Sequence, residues 1–406
     1  MRKYAVFILV IFLISCSNQN RNYSFTKEQV ASLYLDSTTI LCIEKDSAIK
    51  VDLNSFLKKE KHFDFGSLIK EIKFIPLETT DESLLDNIIK IVVTDSYIYV
   101  MDGLQGGGLV IFDSRGKFVK RISNGSGPGE LIRLYDIAYD FESDELIAYQ
   151  HSFLLFFTPS GKFIRQVRLP FGAYNFTTIP DGYLFKTLDG QGNGHLGCLE
   201  NYTLLVTDKK FKLKSVGMFN LPIDINYGGY NYLYNNYKGD VKVTQMYTDT
   251  IYQYLYSTDK LSVKYIINFD NKKLPDHYLK GSYNDFKNAI NQNNYYYYLG
   301  EYLETETQSV FFLRNNYLKL TTIVYLDKMS GHLIGGTNAD YNIKEIPPIG
   351  FPSAVSGNYF ISSYLPSRND TLLYNSSLIS DIDKDKIKEF KEEDNPVLVF
   401  FQLKNF

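Results

Sequence analysis

The chain has 406 residues, of which 44% are hydrophobic and 16% aromatic, with 34 Tyr, 29 Phe and no Trp. This apolar fraction excludes intrinsic disorder and a collagen-like repeat, while the abundance of Tyr, Phe and turn-forming Gly favours β-strands. The 43 basic and 46 acidic residues give a formal net charge of −3, which argues against a surface for nucleic acid.

The N-terminus carries the pattern of a secretion signal. Two basic residues precede an apolar run, residues 4–14, that is shorter than the ~20 residues of a spanning helix. Residues 13–16 (LISC) resemble a bacterial lipobox, so we predict a signal peptide over residues 1–15 and lipidation of Cys16. A cleaved signal with a chance Cys is the alternative. Residues 16–47 are predicted to be a tether and N-terminal segment.

Two further cysteines, Cys42 and Cys198, remain in the exported chain. Two cysteines do not make a disulfide framework, and whether they pair is left open. We expect a buried thiol at each position, so the fold must be held together by its core.

A repeated pattern of strand, tight glycine turn and strand begins near residue 70. Its clearest copies are residues 112–120 and 157–165, and their offset matches the ~40–50 residues of a propeller blade. Degenerate copies follow at residues 206–213, 256–263 and 325–334. A second element, a turn leading into an alternating strand, is interpreted as the inner strand of a blade. It occurs at residues 95–100, 180–185 and 356–361.

These elements predict an all-β six-bladed β-propeller of four-stranded antiparallel blades over residues 48–406. Radial closure leaves only short, protected sheet edges, which explains how such a chain is stable. We expect the ring to be closed by pairing the last strand, residues 397–403, with an early strand such as residues 72–77.

Two stretches interrupt the rhythm of the strands. Residues 276–306 are predicted to be an inter-blade insertion with a short helix at residues 285–290. Residues 381–394 are predicted to form a charged amphipathic helix with Ile387 and Phe390 facing inward. A charge run of this kind is usually a solvated face.

Five phrases in combination resemble one family. They are residues 75–80 (IPLETT), 97–100 (YIYV), 112–118, 125–130 (GSGPGE) and 394–399 (DNPVLV). Together they are similar to the six-bladed β-propeller lipoproteins of Bacteroidetes, which are related in blade style to NHL-repeat propellers. The resemblance implies this fold, a place in the envelope, and a setting near glycan-utilisation systems.

The sequence nominates no catalytic residue, metal ligand or cofactor-binding residue. Residues 125–130 lack the ending of a phosphate-binding loop, and Pro128 removes one backbone N–H, so an inter-blade turn is favoured. The five histidines are scattered. His195 and Cys198 are the only close His/Cys pair and supply too few ligands for zinc. We therefore expect no metal and no cofactor.

A Tyr-rich stretch is the candidate ligand-binding feature. Tyr227, Tyr230, Tyr232 and Tyr234 alternate with Asn and Gly in a predicted loop at one face of the ring. Such surfaces stack on sugars or form protein interfaces at low entropic cost. The absence of Trp weakens the carbohydrate reading, and the alternative is a Tyr-rich edge that packs between blades.

The sequence favours a lipid-anchored envelope protein, in the outer membrane, that binds a ligand or a protein partner without catalysis. The central funnel or a loop face would be the site. The two candidate ligands are a protein and a carbohydrate, and no nucleic acid is expected. The alternative is a glycan-active hydrolase or lyase, which would need carboxylates with shifted pKa values in the funnel.

Overall fold

The computed structural model of the chain describes most of the residues after residue 24. The described ranges are 25–45, 48–54, 56, 65–103, 108–188, 191–221, 232–235, 240–315, 321–336, 352–365, 380–381, 384, 390–391 and 393–406. The predicted signal peptide and Cys16 lie outside them. Within these ranges, no helix is long and apolar enough to cross a membrane.

Strands dominate the described chain. In order they are β1 (Thr39–Ile40), β2 (Ile43–Glu44), β3 (Ile49–Asp52), β4 (Ile69–Pro76), β5 (Ile88–Val93), β6 (Tyr97–Asp102), β7 (Leu109–Asp113), β8 (Phe118–Ile122), β9 (Leu134–Asp140), β10 (Glu145–Gln150), β11 (Phe153–Phe157), β12 (Phe163–Arg168), β13 (Asn175–Ile179), β14 (Gly182–Lys186), β15 (Tyr202–Asp208), β16 (Leu213–Phe219), β17 (Leu233–Asn235), β18 (Asp240–Val243), β19 (Thr250–Leu255), β20 (Lys260–Asn268), β21 (Tyr297–Glu304), β22 (Gln308–Arg314), β23 (Thr321–Asp327), β24 (Leu333–Gly336), β25 (Ala354–Ser356), β26 (Tyr359–Tyr364) and β27 (Val397–Leu403). The α-helices are α1 (Lys27–Ala31), α2 (Phe65–Leu68) and α3 (Tyr283–Asn293), and the 3-10 helices are Leu35–Ser37, Gly194–Asn201, Asp270–Lys272 and Asp276–Lys280.

The described strands form six antiparallel blades arranged as a ring. Blades 1 to 5 are β5–β8, β9–β12, β13–β16, β17–β20 and β21–β24, and blade 6 is β25, β26, β27 and β4. The first strand of each blade lies innermost, because β5, β9, β13 and β17 contact one another in sequence and β25 contacts both β5 and β21. The predicted six-bladed propeller of four-stranded blades is therefore confirmed.

The core is divided among the seams between blades. Each hydrophobic cluster of the described residues joins two neighbouring blades, and together the six clusters cover all six seams. Both faces of a blade are thereby removed from water, which supplies the main driving force for this architecture.

The predicted hairpins are confirmed, and their turn residues explain the repeat. In blade 1 the Asp113 carboxylate accepts the backbone N–H groups of Arg115 (2.8 Å) and Lys117 (2.9 Å), and Gly116 has a φ of +84°. In blade 3, where glycine is missing, Phe211 adopts a φ of +63°. Its ring stacks on Tyr183 with centroids 5.2 Å apart, and this burial offsets the backbone strain.

The segments predicted as inner strands are second strands instead. They correspond to β6, β14 and β26, and β14 is buried at every position. Alternation predicted one partly wet face, but a second strand has a neighbouring blade on both sides. The true inner strands precede them and carry shorter or less regular patterns.

The predicted closure of the ring is confirmed. β27 pairs antiparallel with β4, with Val397 opposite Pro76 and Val399 opposite Phe74. Thus blade 6 takes three strands from the end of the chain and one from its beginning, so both ends of the described propeller are fixed in the same sheet.

Asn395, which is only 1% exposed, fastens this closure. Its side-chain oxygen accepts the N–H of Leu85 (2.8 Å), and its amide donates to the carbonyls of Glu78 and Ser83 (both 2.9 Å). Its backbone N–H donates to Thr79 Oγ1 (2.8 Å). These contacts explain why the IPLETT and DNPVLV phrases occur together, because one residue joins them.

Replacing Asn395 with Ala is expected to destabilise the protein by about 2–4 kcal/mol, because a buried donor and two buried acceptors lose their partner. The free energy of unfolding from chemical denaturation measures this. Asn201→Ala, at an exposed amide that donates to the Cys198 carbonyl (3.2 Å), should cost less than about 0.5 kcal/mol. Equal losses in both variants would contradict the role of Asn395.

The N-terminal segment follows the perimeter of the ring as a strap, defined by residues 25–45, 48–54 and 56. β1 adds in parallel to β16 of blade 3, and β2 and β3 add in parallel to β20 of blade 4. Residues 25–45, predicted to belong to a tether, therefore lie against the propeller. The signal for this was weak, since the strands involved are only two to four residues long.

An apolar side chain of this segment enters each seam that it crosses. Leu33 enters the seam between blades 2 and 3, Leu41 the next, and Val51 with Leu53 the seam between blades 4 and 5. Phe65, in α2, continues the series between blades 5 and 6. The N-terminal part of the chain thus staples four consecutive seams.

The helix predicted at residues 285–290 is confirmed as part of α3. Ser282 caps it by accepting the N–H of Asp285 (3.2 Å), and Phe286 and Ile290 are buried. The predicted insertion over residues 276–306 extends too far, however, because β21 begins at Tyr297. A bulge between Tyr298 and Tyr302, with Gly300 at a φ of +82°, disrupts the alternation that would have marked the strand.

The expectation of buried thiols is wrong. Cys42 and Cys198 are both exposed, and neither forms a disulfide. Cys42 lies between β1 and β2 at the perimeter, and Cys198 lies in a 3-10 helix between blade strands, so neither sits in a seam. Of the predicted helix over residues 381–394, Ile387 is outside the described residues, whereas Phe390 is half-buried and packs on the core between blades 5 and 6.

Candidate functional site

A small cavity lies among the described inner strands. It measures about 60 Å³, and its lining residues include Ile91, Ile137, Leu233 and Leu303. Ligand pockets usually measure roughly 300–1,000 Å³. This cavity is therefore too small for a sugar. A ligand site elsewhere in the funnel stays a prediction.

Asp136 acts as a clamp between inner strands. Its carboxylate accepts three hydrogen bonds. The donors are Lys90 Nζ from blade 1 (2.7 Å), the backbone N–H of the next residue, Ile137 (2.9 Å), and the backbone N–H of Phe176 from blade 3 (2.9 Å). It is almost completely buried. Because these contacts join three consecutive blades, they give Asp136 a structural role.

Glu304, at the end of β21, lies between two ammonium groups. Lys328 Nζ is 2.5 Å and Lys242 Nζ 3.4 Å from its oxygens, and the Tyr302 hydroxyl donates to it (2.5 Å). Burial by itself raises the pKa of Glu304, but Lys242 and Lys328, aided by these hydrogen bonds, outweigh it and hold the pKa below its ordinary value. A carboxylate that stays ionised at neutral pH cannot serve as a general acid.

The other buried carboxylates of the described residues are also partnered. Asp102 pairs with Arg121 (3.1 Å) and Asp140 with Lys209 (2.6 Å). Asp327 accepts the N–H groups of Met329 and Ser330 (both 2.9 Å). Each buried carboxylate thus faces cations or backbone donors, an arrangement typical of structural ion pairs.

Lys186 is the most deeply buried base of the described chain. It ends β14, is 1% exposed, and donates to Thr203 Oγ1 at 2.7 Å. Burial lowers the pKa of Lys186 to about 7. Its ammonium group is therefore disfavoured in the folded state, which makes this position sensitive to pH.

The predicted Tyr cluster is only partly described. Tyr227 and Tyr230 lie outside the described residues. Tyr232 is buried beside Tyr174, with ring centroids 5.8 Å apart, and Tyr234 donates its hydroxyl to the Glu304 carbonyl (2.6 Å) at the channel wall. These positions favour the packing alternative for Tyr232 and Tyr234. A ligand-binding role for the four residues stays a prediction.

The glycine-rich phrase at residues 125–130 is a connection between blades 1 and 2, as predicted. The Glu130 carboxylate accepts the Gly127 N–H (2.8 Å) and lies where a Cβ on Gly125 would be, 2.0 Å away. The Glu130 carboxylate thus occupies the space inside this loop. The His195 ring is also in a structural position, with Nε2 2.8 Å from the Pro170 carbonyl and the ring 4.5 Å from Phe25.

A larger cavity, about 650 Å³, opens on the outside of the ring where blade 6 meets blade 1. We call it the seam cavity. Its lining includes residues 74–79 from the end of β4 onward, residues 114–117 in the β7–β8 turn, Phe390 and Asp394. At its rim, Lys117 Nζ is 3.1 Å from Glu78, and the Arg115 side chain is 84% exposed.

The seam cavity lies beside a sheet edge. β4 is the last of the described strands in the sheet of blade 6. On blades 3 and 4 the corresponding edges, those of β16 and β20, carry the strap. Sequence reasoning missed this cavity because its walls come from three segments that are far apart in the chain.

Comparisons with known proteins identify a family and one solved structure with the same fold. The family model of a domain of unknown function, DUF4934, matches residues 48–402. A solved structure from Bacteroides fragilis, of a protein whose name describes it as exported, is similar over 88% of this chain and all of that chain, with 20% identity and a TM-score of 0.72. A Bacteroides caccae protein of unknown function covers 63% of this chain and 84% of its own, with 8% identity and a TM-score of 0.37. No curated protein matches.

Proposed function

We propose that this chain, which belongs to the DUF4934 family, is an exported, lipid-anchored propeller that binds a protein partner without catalysing a reaction. The partner would place an extended segment in the seam cavity. The observation that carries this proposal is the volume of that cavity, about 650 Å³ and open to solvent, against about 60 Å³ for the cavity among the described inner strands.

The chain itself supplies the precedent for an extended segment. In the seams between blades 2 and 5, the strap inserts Leu33, Leu41 and Leu53, while its short strands pair with the outer strands. The seam cavity offers the same two features, an apolar wall from Ile75 and Leu77 and the neighbouring edge of β4. Strand addition of this kind takes affinity from main-chain hydrogen bonds and specificity from side-chain pockets.

The rim carries both signs of charge. Arg115 and Lys117 lie at the mouth, where Arg115 pairs with Asp113 (3.1 Å) and Lys117 pairs with Glu78 (3.1 Å), and Asp394 is also part of the lining. The apolar wall is therefore the feature that would receive the partner, and the partner segment would place apolar residues against it.

A glycan-active enzyme is less well supported. Hydrolysis of a glycosidic bond usually needs two carboxyl groups, one with a raised pKa. At the seam cavity, hydrogen bonds from the Phe118 N–H and from Lys117 lower the pKa of Glu78 below its ordinary value. In the channel, Glu304 is held ionised in the same way. We therefore do not propose catalysis.

The envelope location rests on the sequence. The lipobox pattern at Cys16 supports a lipid anchor, and the name of the similar Bacteroides fragilis protein supports export. An outer-membrane position, a setting near glycan utilisation and the likeness to NHL-repeat propellers are part of the proposal on the strength of the family resemblance alone.

Site-specific photo-crosslinking in living cells tests the binding site. A crosslinking residue at Arg115 is expected to trap one envelope protein, whereas the same residue at Met329, which is exposed in the corresponding turn of blade 5, should not. Adding Lys117→Glu should weaken the trapping, and His332→Glu, in the blade 5 turn, should leave it unchanged. Equal trapping at both positions, or glycan cleavage by the purified protein, would overturn the proposal.

A further inference from the structure

The start of the strap fixes which side of the ring lies nearest to the anchor. Phe25 packs 4.5 Å from the His195 ring and 5.9 Å from the Arg168 guanidinium, at the perimeter of blades 2 and 3. Phe25 lies nine positions after Cys16, and an extended chain of that length spans at most about 30 Å. A lipid on Cys16 therefore holds this side of the ring close to the bilayer.

This side carries an excess of basic residues, although the whole chain has a net charge of −3. Residues 25–40, 162–168 and 209–214 carry eight basic residues and two acidic ones. Two of the eight, Arg165 and Lys209, are paired with Glu145 and Asp140 outside these segments. Contacts bring the first and third segments together, since the Leu213 N–H donates to the Leu33 carbonyl (3.1 Å). Lys212 Nζ also lies 4.6 Å from the centre of the Tyr34 ring.

Large apolar side chains project from the same surface. Tyr34 is 60% exposed, Ile40 57% and Ile164 44%. Exposed Tyr and aliphatic residues among Lys and Arg are typical of protein surfaces that sit at a membrane interface, where apolar groups enter the headgroup layer and cations meet anionic lipids.

We propose that this surface, the basic arc formed by residues 25–40, 162–168 and 209–214, docks on the anionic phospholipid headgroups of the membrane that holds the anchor. The inference rests on the lipid anchor proposed above. Docking there would set the ring on its edge. In a ring of six blades, the seam between blades 5 and 6 lies across from the seam between blades 2 and 3, where the arc is centred. The seam cavity is one blade away from that far seam, so it would lie on the side of the ring that is turned away from the bilayer.

Vesicle co-sedimentation of the mature chain carrying Cys16→Ser tests the docking without the lipid. It should bind vesicles of phosphatidylcholine mixed with phosphatidylglycerol, with binding lost at high salt, and should not bind phosphatidylcholine alone. Combined Lys210→Glu, Lys212→Glu and Lys214→Glu should lower the affinity about tenfold or more. The matched control carries Lys70→Glu, Lys272→Glu and Lys280→Glu, which lie outside the basic arc. It should bind the vesicles as tightly as the Cys16→Ser chain does.

A fluorescence measurement guards against misfolded variants. Because the chain has no Trp, Tyr34→Trp provides a single reporter whose emission should shift to the blue on phosphatidylglycerol vesicles. Leu84→Trp, at a residue that is 52% exposed near the seam between blades 6 and 1, should not shift. Equal binding to both vesicle types, or equal loss in both triple variants, would overturn the inference. Membrane extraction of the wild-type chain and Cys16→Ser from cells tests the anchor separately, so either idea can fail while the other stands.

Discussion

Deletion of residues 396–406 is expected to abolish cooperative unfolding. The deletion removes β27, which lies between β26 and β4. Six buried apolar side chains go with it, namely Val397, Leu398, Val399, Phe400, Phe401 and Leu403. Their burial contributes on the order of 10 kcal/mol, which is comparable to the roughly 5–15 kcal/mol of net stability of a folded domain. Thermal unfolding followed by circular dichroism measures the loss.

Two controls separate this effect from general damage. Removing only residues 405–406, which lie beyond the strand, should lower the melting temperature by a few degrees at most, because only end contacts such as the one from the Phe406 N–H to Asp327 are lost. A peptide of residues 394–406 added to the truncated chain should restore part of the transition. An unchanged melting temperature in the truncated chain would show that the ring does not depend on this strand.

Lys186→Met is expected to stabilise the protein by about 3–5 kcal/mol at pH 6–7. Lys186 has a folded-state pKa of about 7, lowered by burial, whereas its unfolded pKa is near 10.4. Between these values the unfolded chain binds one more proton than the folded chain, so wild-type stability from this group rises with pH. Below pH 7 both states are protonated and the full penalty remains. Methionine fills a similar volume and removes the charge.

The sign of the pH dependence makes the prediction specific. The difference in unfolding free energy between Lys186→Met and wild type should be largest at pH 6–7 and should shrink toward zero near pH 10.5. Urea unfolding across this range measures it, and Lys162→Met, at an exposed lysine of the β11–β12 turn, should show no such trend. If this difference in unfolding free energy stays constant with pH, Lys186 has the same pKa in the folded and unfolded states, and the prediction is wrong.

The hairpins were predictable from the sequence because their turns need particular residues. Asp113 and Gly116 in blade 1, and Thr158 and Gly161 in blade 2, stand at equivalent positions for the same reasons of hydrogen bonding and positive φ. Closure was predictable as well, since the apolar run at residues 397–403 needed a partner. Six blades followed from these local signals.

What the sequence could not reveal depends on contacts between distant segments. The strap pairs through strands of two to four residues, which leave no periodic pattern. β21 was hidden by its bulge at Gly300. Asn395 reads as an ordinary turn residue until Leu85, Glu78 and Ser83 are seen around it. The seam cavity and the buried charge partners of Asp136 and Glu304 could not be predicted either, because they too depend on contacts between distant segments.

The order of synthesis gives the closing sheet a further meaning. Thr79 and Asn395 are 316 residues apart, so their bond must wait until the whole segment between them has been made. Until then, β4 and β26 each lack the neighbour between them, and the growing chain has no finished ring to protect it. Contacts this remote in sequence also form slowly. The closing sheet is therefore expected to be among the last parts of the ring to form.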